Sequence, residues 1–491
     1  MSTPAADAPA LVWFRDDLRL ADQPALHAAI RSKRPVICLY VYDAGRSSCR
    51  ALGGASKWWL HHSLAALGAS LEKIGARLDL IACDHADLPQ IAQSLGAGAV
   101  YWTRRYGGAQ IACDAQVKKD LAAANIEAAS FNGHLLREPW EVTTKTGGPM
   151  KVFTPFWRAS QALGDIPAPL PAPKAFASAP WPKGGQKRAT LKTLDLLPTK
   201  PDWADGLRAH WTPGEAGARA RLQDFFKHGL SNYADERDRP DRPSTSRLSP
   251  FLRFGEISPR TIWHAARHLE ADKPALAKAI AKFLSEVGWR EFAFHLLFHN
   301  PDLATRNYQA RFDAFTWREP DAKSLRAWQT GNTGYPIVDA GMRELWRTGF
   351  MHNRVRMVVA SFLVKHLLID WRVGEDWFWD TLCDADPANN PASWQWVAGS
   401  GADAAPYFRI FNPILQGERF DPEGDYVRAF VPELANMPAK YIHKPWEAPA
   451  NVLANAGVRL GKDYPSPIID HNLGRDRALA AFGALRAREE A

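Results

Sequence analysis

A short segment in the second half of the chain brings amides, carboxylates and indoles together. The residues NNPASWQW, at 389–396, place two tryptophans around a glutamine directly after two asparagines, and the acidic run DAD lies just before them at 384–386. Asn and Pro favour turns and Trp fills cores, so one interpretation is a tight turn followed by a core helix. The alternative interpretation is a pocket for an aromatic cofactor.

Two helical stretches carry further side chains whose spacing suits a binding site. In each stretch three side chains stand at i, i+3 and i+4, a spacing that places them on one helix face. The two sets are Glu286, Trp289 and Arg290, and Asn353, Arg356 and Met357. One such face can be an Arg–Glu pair packed under a Trp. Two such faces, together with the segment 384–396, favour a binding site.

A hydroxyl-rich run could bind an anion. STSRLS, at 244–249, follows the charged loop YADERDRPDRP. Short polar side chains and backbone N–H groups at a helix start favour a phosphate. Ser/Thr runs are more often only helix N-caps, so this run indicates a phosphate site only in combination with the other candidate residues.

The elements that must position these residues divide the chain into two parts. In the first 135 residues, β-rich runs at 10–14, 35–43, 77–83 and 99–104 alternate with helical stretches. This alternation predicts an α/β domain with a doubly wound parallel sheet. No GxGxxG follows the first strand, and WFRDDLRL occupies that turn, so the dinucleotide fingerprint is absent.

The rest of the chain is predicted to be a linker followed by an all-α domain. Residues 136–205 are rich in Pro, Gly, Lys and Ala, a linker composition. From 206 the pattern is helical to 491, most clearly at 274–299 and 344–371, where Gly349 marks an expected break. The predicted organisation is therefore an α/β domain at 1–135, a linker at 136–205 and a helical domain at 206–491.

Composition limits the classes of protein that remain. No apolar run reaches the roughly 18 residues that span a bilayer, and the chain start lacks a signal pattern, so we expect a cytoplasmic protein without a membrane partner. The formal charge of +8 fits a polyanionic partner. The cysteines form no CxxC pair and are expected to be buried apolar residues: Cys38, Cys49, Cys83, Cys113 and Cys383. His299, His352 and His366 lack ligand spacing, so we expect no metal site.

Seven segments, in order and covering almost the whole chain, resemble the signature segments of the photolyase/cryptochrome flavoproteins. They are LVWFRDDLRLADQPAL, TSRLS, EVGWREF, TGYPIVDAGMRELW, MHNRVRM, LLIDWR and NNPASWQWVAGSGADAAPYFRIFNPILQGERFD. Within that family they are most similar to bacterial cyclobutane pyrimidine dimer photolyases of class I or class III. The resemblance implies an antenna-binding α/β domain and a helical domain that binds FAD and DNA.

The resemblance also implies roles around FAD. Arg290 and Arg356 would lie near the isoalloxazine ring, and Asp384 and Asp386 would contact the ring and the adenosine side. Asn390 matches the residue that faces flavin N5, where an amide can accept from a protonated N5 or donate to an unprotonated one. The residues that match contacts to the phosphates and the ribityl chain are Tyr233, Thr245, Ser246, Arg247, Leu248 and Ser249.

Three tryptophans match the electron-transfer chain of the family. Trp394 falls on the flavin-proximal indole, Trp371 on the middle indole and Trp317 on the surface indole. The resemblance implies that electrons hop along them to photoreduce the flavin.

The implied activity is light-driven repair of cyclobutane pyrimidine dimers in UV-damaged DNA, by electron transfer from excited, reduced FAD to the flipped-out dimer. Glu286 would hydrogen-bond the dimer and Trp289 would stack on it. Asn353 would add a polar contact and Met357 an apolar wall. The remaining positions that match DNA contacts are Arg237, Arg354, Arg409 and Gln416.

Other functions in the family compete with this one. A blue-light receptor of cryptochrome type is the first alternative, and a (6-4) photoproduct photolyase is the second. Met357 favours the cyclobutane dimer, because (6-4) enzymes usually place a His there. A second antenna chromophore is implied, with methenyltetrahydrofolate slightly favoured over 8-hydroxy-5-deazaflavin, although Gln110 stands where folate-binding relatives tend to have an acid. The family default is a monomer.

Overall fold

A five-stranded parallel sheet forms near the start of the chain. In the computed structural model the described residues are 8–45, 50–182, 186–404 and 408–490. The strands are β1 Ala10–Phe14, β2 Val36–Tyr42, β3 Leu78–Ala82, β4 Ala99–Thr103 and β5 Glu127–Phe131, in the spatial order β3-β2-β1-β4-β5. All four pairings are parallel, which confirms the predicted doubly wound sheet.

The sequence predicts four of these strands and misses the fifth. β5 reads EAASF, and Glu, Ala and Ser are poor strand formers, so its composition carries no strand signal. The strand forms because it pairs in register with β4, from Ala99 opposite Glu127 to Thr103 opposite Phe131. Tertiary pairing therefore decides the structure of this edge strand.

Helices occupy about half of the remaining described chain. The helices of the first three hundred residues are α1 Pro24–Arg31, α2 Gly54–Glu72, α3 Leu88–Ser94, α4 Gly108–Ala123, α5 Phe153–Ala162, α6 Asp205–His210, α7 Glu215–Asp224, α8 Tyr233–Glu236, α9 Ser249–Arg253, α10 Pro259–Asp272 and α11 Ala277–His299. The later helices are α12 Ala322–Gln329, α13 Pro336–Thr348, α14 Asn353–Ser361, α15 Trp371–Thr381, α16 Asn389–Ala398, α17 Pro413–Phe420, α18 Asp425–Phe430, α19 Ala439–Ile442, α20 Ala450–Ala456 and α21 His471–Glu490.

The helical stretch predicted at 344–371 is divided twice. The break expected at Gly349 is confirmed, since α13 ends there with a φ of 63°, a value that glycine adopts without strain. A second break was missed. Leu368 has a φ of 56°, and the Asp370 side chain accepts from the Arg372 N–H at 2.9 Å, so α15 starts afresh at Trp371.

The segment predicted as a linker is more ordered than its composition indicates. Helix α5 lies within residues 136–205. Further on, the Ala179 N–H donates to the Val36 carbonyl at 2.9 Å, and the Ala189 N–H donates to the Leu80 carbonyl at 2.7 Å. The Pro-rich chain is therefore hydrogen-bonded to the sheet at two points, which composition alone does not reveal.

The chain forms two compact units. The first comprises Met1–Ala204, Trp211–Lys227 and Ser246–Pro301, and the second comprises Asp205–His210, His228–Thr245 and Asp302–Ala491. The predicted domain limits at 1–135, 136–205 and 206–491 stay a prediction, because spatial compactness and independent folding are different properties.

Each unit has its own core. In the first, every residue of β1 and β2 is buried. In the second, the core forms around α13 to α16. Cys38, Cys83 and Cys383 are buried as expected and Cys113 is half-buried, while Cys49 lies outside the described residues.

Candidate functional site

In the second unit, an arginine and an aspartate form a two-pronged ion pair. Arg356, on α14, donates from Nη1 and Nη2 to the two carboxylate oxygens of Asp384 at 3.0 and 2.8 Å. Its Nε also donates to the Met351 carbonyl at 2.7 Å. Asp384 is buried, so the matched fork geometry holds both charged groups in fixed positions.

The second carboxylate of the DAD run caps a helix. Asp386 accepts from the backbone N–H groups of Ala388 and Asn389 at 2.8 and 2.6 Å, and from Asn389 Nδ2 at 2.7 Å. This satisfies N–H groups at the start of α16 that have no intrahelical partner. The interpretation of this segment as a turn followed by a core helix is thus correct for Asp386 and Asn389.

The amide of Asn390 has a fixed orientation. Its Nδ2 donates to Glu375 Oε1 at 2.7 Å and to the Glu375 carbonyl at 3.0 Å. A backbone carbonyl only accepts, so the nitrogen must face Glu375, and both amide hydrogens are used there. Asn390 consequently presents Oδ1, an acceptor, to any ligand. An acceptor at this position would suit a protonated ring nitrogen, and the role of Asn390 toward a flavin stays a prediction.

The three predicted electron-transfer tryptophans belong to one core cluster. Trp371 is fully buried and Trp394 is 2% exposed, while Trp317 is partly buried against the same cluster. A Cβ at Gly374 would overlap the Trp394 ring, so this indole packs on α15 one turn after Trp371. The Arg318 N–H donates to the Leu368 carbonyl at 2.9 Å, which brings the Trp317 segment beside the start of α15.

Trp371 has a polar partner that sequence reasoning missed. Its indole Nε1 donates to Asn307 Oδ1 at 2.9 Å, and Asn307 Nδ2 donates to Asp313 Oδ1 at 2.7 Å. A buried indole N–H needs such an acceptor. Asn307 and Glu375 carry no pattern that marks them, since Asn307 lies 64 positions from its indole partner.

The residues of the second unit that are predicted to contact the dimer or the flanking DNA differ in exposure. Asn353 and Arg409 are exposed, whereas the other members of this group are half-buried: Arg237, Arg354, Met357 and Gln416. Arg354 pairs with Asp238 at 2.8 Å and lies 4.4 Å from the centroid of the Phe420 ring. Arg237 lies 5.8 Å from the ring centroid of Tyr233, a buried residue on α8.

The first unit carries the other predicted set on α11. Glu286 is half-buried, with Lys282 at 3.3 Å. Trp289 is half-buried and stacks on Phe153 with ring centroids 3.8 Å apart. Arg290 is buried, and it donates to the carbonyl oxygen of His134 at 2.8 Å and contacts His134 Nε2 at 2.7 Å.

Burial and the nearby guanidinium keep His134 neutral. Burial first, and then the positive charge of Arg290, hold the pKa of His134 well below its usual range. Its Nε2 therefore accepts from Arg290, which fixes the arginine without adding a second charge. His134 also escaped sequence reasoning, because nothing in its local pattern distinguishes it from a core histidine.

The predicted phosphate cradle contains the expected helix start, but the helix is short. α9 begins at Ser249 and has only five residues, so its dipole contribution is small. Arg247 has a φ of 51°, and Ser244 Oγ donates to Glu236 Oε2 at 2.7 Å. Leu248 is buried, Ser249 is exposed, and the rest of the run is half-buried: Thr245, Ser246 and Arg247. Their role toward phosphates stays a prediction.

The groups in the second unit fit a flavin. A flavin ring offers both N–H donors and acceptor atoms, and the polar set here combines the side-chain carbonyl of Asn390, the Asp384 carboxylate and the Arg356 guanidinium. Over the described ranges no group of three or more His, Cys, Asp and Glu could hold a metal ion. No helix of the described chain is long and apolar enough to cross a membrane.

Two family models and three proteins locate the chain among known sequences. The model of DNA photolyase matches residues 10–174, and that of the FAD binding domain of DNA photolyase matches residues 283–484. The chain is 54% identical over 480 residues to a deoxyribodipyrimidine photo-lyase of Agrobacterium fabrum, covering 98% of each chain. The crystal structure of a bacterial class III photolyase from Agrobacterium tumefaciens matches with a TM-score of 0.93 at 54% identity, again over 98% of both chains. Cryptochrome-1 of Arabidopsis thaliana is 38% identical over 494 residues, which cover 98% of this chain and 71% of that protein. The chain therefore belongs to the photolyase/cryptochrome family.

Proposed function

We propose that the protein is a light-driven lyase that repairs cyclobutane pyrimidine dimers in DNA with FAD as cofactor. The observation that carries the proposal is the fixed amide of Asn390, whose nitrogen is bound by Glu375, in the same unit as the Arg356–Asp384 pair and the buried tryptophans. The similarity to a deoxyribodipyrimidine photo-lyase at 54% identity supports the same activity.

The residues of the second unit would bind the cofactor and supply electrons that reduce it. Bound FAD would supply, when reduced and excited by light, the electron that opens the cyclobutane ring. Asn390 Oδ1 would accept a hydrogen bond from a ring N–H, and the Arg356–Asp384 pair would bind further polar ring atoms. Trp394 and Trp371 would pass electrons toward the cofactor, with Trp317 as the outer member of the chain. The predicted contacts to the phosphates and the ribityl chain complete this set.

The remaining predicted residues recognise the damaged DNA. A dimer must leave the duplex to be bound, which costs less at a poorly stacked, damaged site. Trp289 stacks on the flipped bases, Glu286 hydrogen-bonds their exocyclic groups, and Asn353 and Met357 contact the dimer. The residues that bind the flanking strand are Arg237, Arg354, Arg409 and Gln416, where the cations neutralise phosphates.

The competing functions are less favoured. The cryptochrome relative is 38% identical, compared with 54% for the photo-lyase, so the receptor alternative has the weaker support. Met357 supports the cyclobutane dimer over the (6-4) photoproduct, as the family resemblance implies. We propose that the enzyme acts in the cytoplasm and as a monomer.

A second chromophore is part of the proposal. We favour methenyltetrahydrofolate over 8-hydroxy-5-deazaflavin, although Gln110 is not an acid and its Oε1 accepts from the Gly107 N–H at 3.3 Å. Absorbance and mass spectrometry of the chromophores released from purified protein decide between the two pigments.

The experiment that tests the proposed function compares the reduced holoenzyme with two pocket variants. Under blue light the wild type should remove thymine dimers from an oligonucleotide, and Glu286→Ala and Trp289→Ala should both repair more slowly while keeping normal FAD content. A wild type that photoreduces its flavin yet leaves the dimer intact would favour the receptor alternative.

A further inference from the structure

The indole predicted to stack on the substrate already has one face covered by another ring. Phe153, the first residue of α5, stacks on Trp289 with centroids 3.8 Å apart and planes inclined by 10°. Phe153 is only 9% exposed. An indole has two faces, so a ring this close and this parallel leaves a single face of Trp289 for a base.

A third ring lies next to Phe153. Trp157, one turn further along α5, lies nearly parallel to Phe153, with centroids 6.4 Å apart and an angle of 11°. Gly288 makes room for Trp157, because a Cβ there would come within 2.6 Å of the ring. Trp157 in turn meets the edge of Trp263 at 6.0 Å. Phe153 therefore has a second aromatic neighbour, which is itself packed against Gly288 and Trp263.

The start of α5 is itself tied to α11. Phe156 packs on Phe292 at 5.2 Å and on His295 at 5.1 Å between ring centroids. Three residues before Phe153, the Met150 N–H donates to His295 Nε2 at 2.9 Å, and His295 Nδ1 donates to the Pro139 carbonyl at 3.0 Å. The phenyl ring is thus fixed relative to the helix that carries Trp289.

We propose that Phe153 is a positioning residue for substrate recognition: it holds the indole of Trp289 in one orientation, so that the opposite face meets the flipped pyrimidine. This inference rests on the proposed function. A ring that is already immobilised loses less side-chain freedom when a base stacks on it, so the stack increases affinity for damaged DNA without contacting it.

The test measures dark binding as well as repair. Phe153→Leu should weaken the affinity for a thymine-dimer oligonucleotide about 3- to 10-fold, the range expected for one aromatic pair, and leave the affinity for the undamaged oligonucleotide unchanged. Turnover at saturating substrate should change less than affinity does. Phe153→Tyr, which keeps the ring, should restore wild-type binding.

A double-mutant cycle separates positioning from general damage. If Phe153 acts through Trp289, the Phe153→Leu effect on dimer binding should vanish in the Trp289→Ala background. Phe131→Leu, at the end of β5, removes a ring that lies 6.2 Å from Tyr101 in the same unit, and it serves as the matched control that should preserve selectivity for the dimer.

Each remaining outcome has a definite meaning. If the wild type repairs the dimer, and if Trp289→Ala binds it more weakly while Phe153→Leu binds it as the wild type does, this inference is overturned and the proposed function stands. Equal losses for Phe153→Leu and Phe131→Leu, or a Phe153→Leu effect that persists in the Trp289→Ala background, would also overturn it. A wild type that neither prefers nor repairs dimers would overturn the proposed function and this inference with it.

Discussion

At the scale of single residues, Glu375 determines which atom Asn390 presents. A buried carboxylate and a backbone carbonyl both accept, so together they require the amide nitrogen. Glu375→Gln keeps the backbone carbonyl but replaces the carboxylate with an amide that can also donate, so only one of the two contacts still requires the nitrogen of Asn390. Photoreduction of bound FAD, followed by the loss of oxidised-flavin absorbance under blue light, should slow about fivefold, the factor that corresponds to roughly 1 kcal/mol for one hydrogen bond.

The matched control for this prediction is Glu433→Gln. Glu433 pairs with Arg343 at 2.8 Å in the same unit but has no predicted role in the site. Equal photoreduction rates in wild type and Glu375→Gln would show that the amide orientation is not set by this carboxylate.

Residue types and spacing identified the candidate site, but not its supporting contacts. The resemblance singled out Asn390, Arg356 and Asp384, and the structure brings the last two into an ion pair. It did not single out Glu375, Asn307 or Phe153, since each meets its partner through folding of distant segments. A sequence pattern predicts which residues are neighbours along one helix, whereas these contacts join residues that are far apart in the sequence.

At the scale of elements, α15 and α16 pack together at Gly374, where the missing side chain leaves room for the Trp394 indole. A Cβ at Gly374 would overlap the Trp394 ring and approach Leu363 at 2.6 Å. Gly374→Ala should therefore lower the free energy of unfolding by about 1–3 kcal/mol, as overpacking does. Urea denaturation measures the change.

A glycine in open space provides the comparison. A Cβ added at Gly483, in α21, would meet nothing within 4 Å, so Gly483→Ala should be neutral or stabilise by up to about 1 kcal/mol through helix propensity. Equal destabilisation by both substitutions would contradict close packing of Trp394 on α15.

The hydrogen bond between His295 of α11 and the Met150 N–H, which precedes α5, should weaken at low pH. Burial first, and then the neighbouring His299, lower the pKa of His295 from 6.5 to about 4. As the pH falls, the unfolded chain therefore takes up a proton at His295 before the folded chain does. The contribution of neutral His295 to the free energy of unfolding is complete above pH 6.5 and is lost as the pH falls toward 4. We expect a loss of about 1–2 kcal/mol, allowing for solvent screening.

His295→Gln removes the titrating group from this contact. Unfolding free energies measured between about pH 7 and pH 4 should fall less steeply in this variant than in the wild type, because Gln carries no proton to bind. Parallel pH profiles in the two proteins would exclude His295 as the source of the acid sensitivity.

At the scale of the whole molecule, the net charge of +8 should make DNA binding depend on salt. Arg409 is exposed and matches a phosphate contact. Arg409→Gln should reduce the slope of log affinity against log salt by about 0.9, the value for one phosphate contact. Arg459→Gln removes an exposed cation paired with Asp463 and should leave the slope unchanged.

The fold class followed from hydrophobic periodicity, whereas several boundaries did not. Alternating strands and helices predicted the parallel sheet, and Gly349 marked a true helix end. β5 and α5 were missed because their structure depends on pairing with β4 and packing on α11, not on their own composition. The second break, at Leu368, was missed because no Gly or Pro marks it in the sequence.

Light-driven repair is tested most directly by comparing light and darkness on one substrate. Reduced holoenzyme is mixed with an oligonucleotide that contains one thymine dimer, and the products are identified by chromatography and mass. We predict intact, unlinked thymines in the light and unchanged dimer in the dark. Equal repair in both conditions, or none in the light, would contradict a light-driven photolyase.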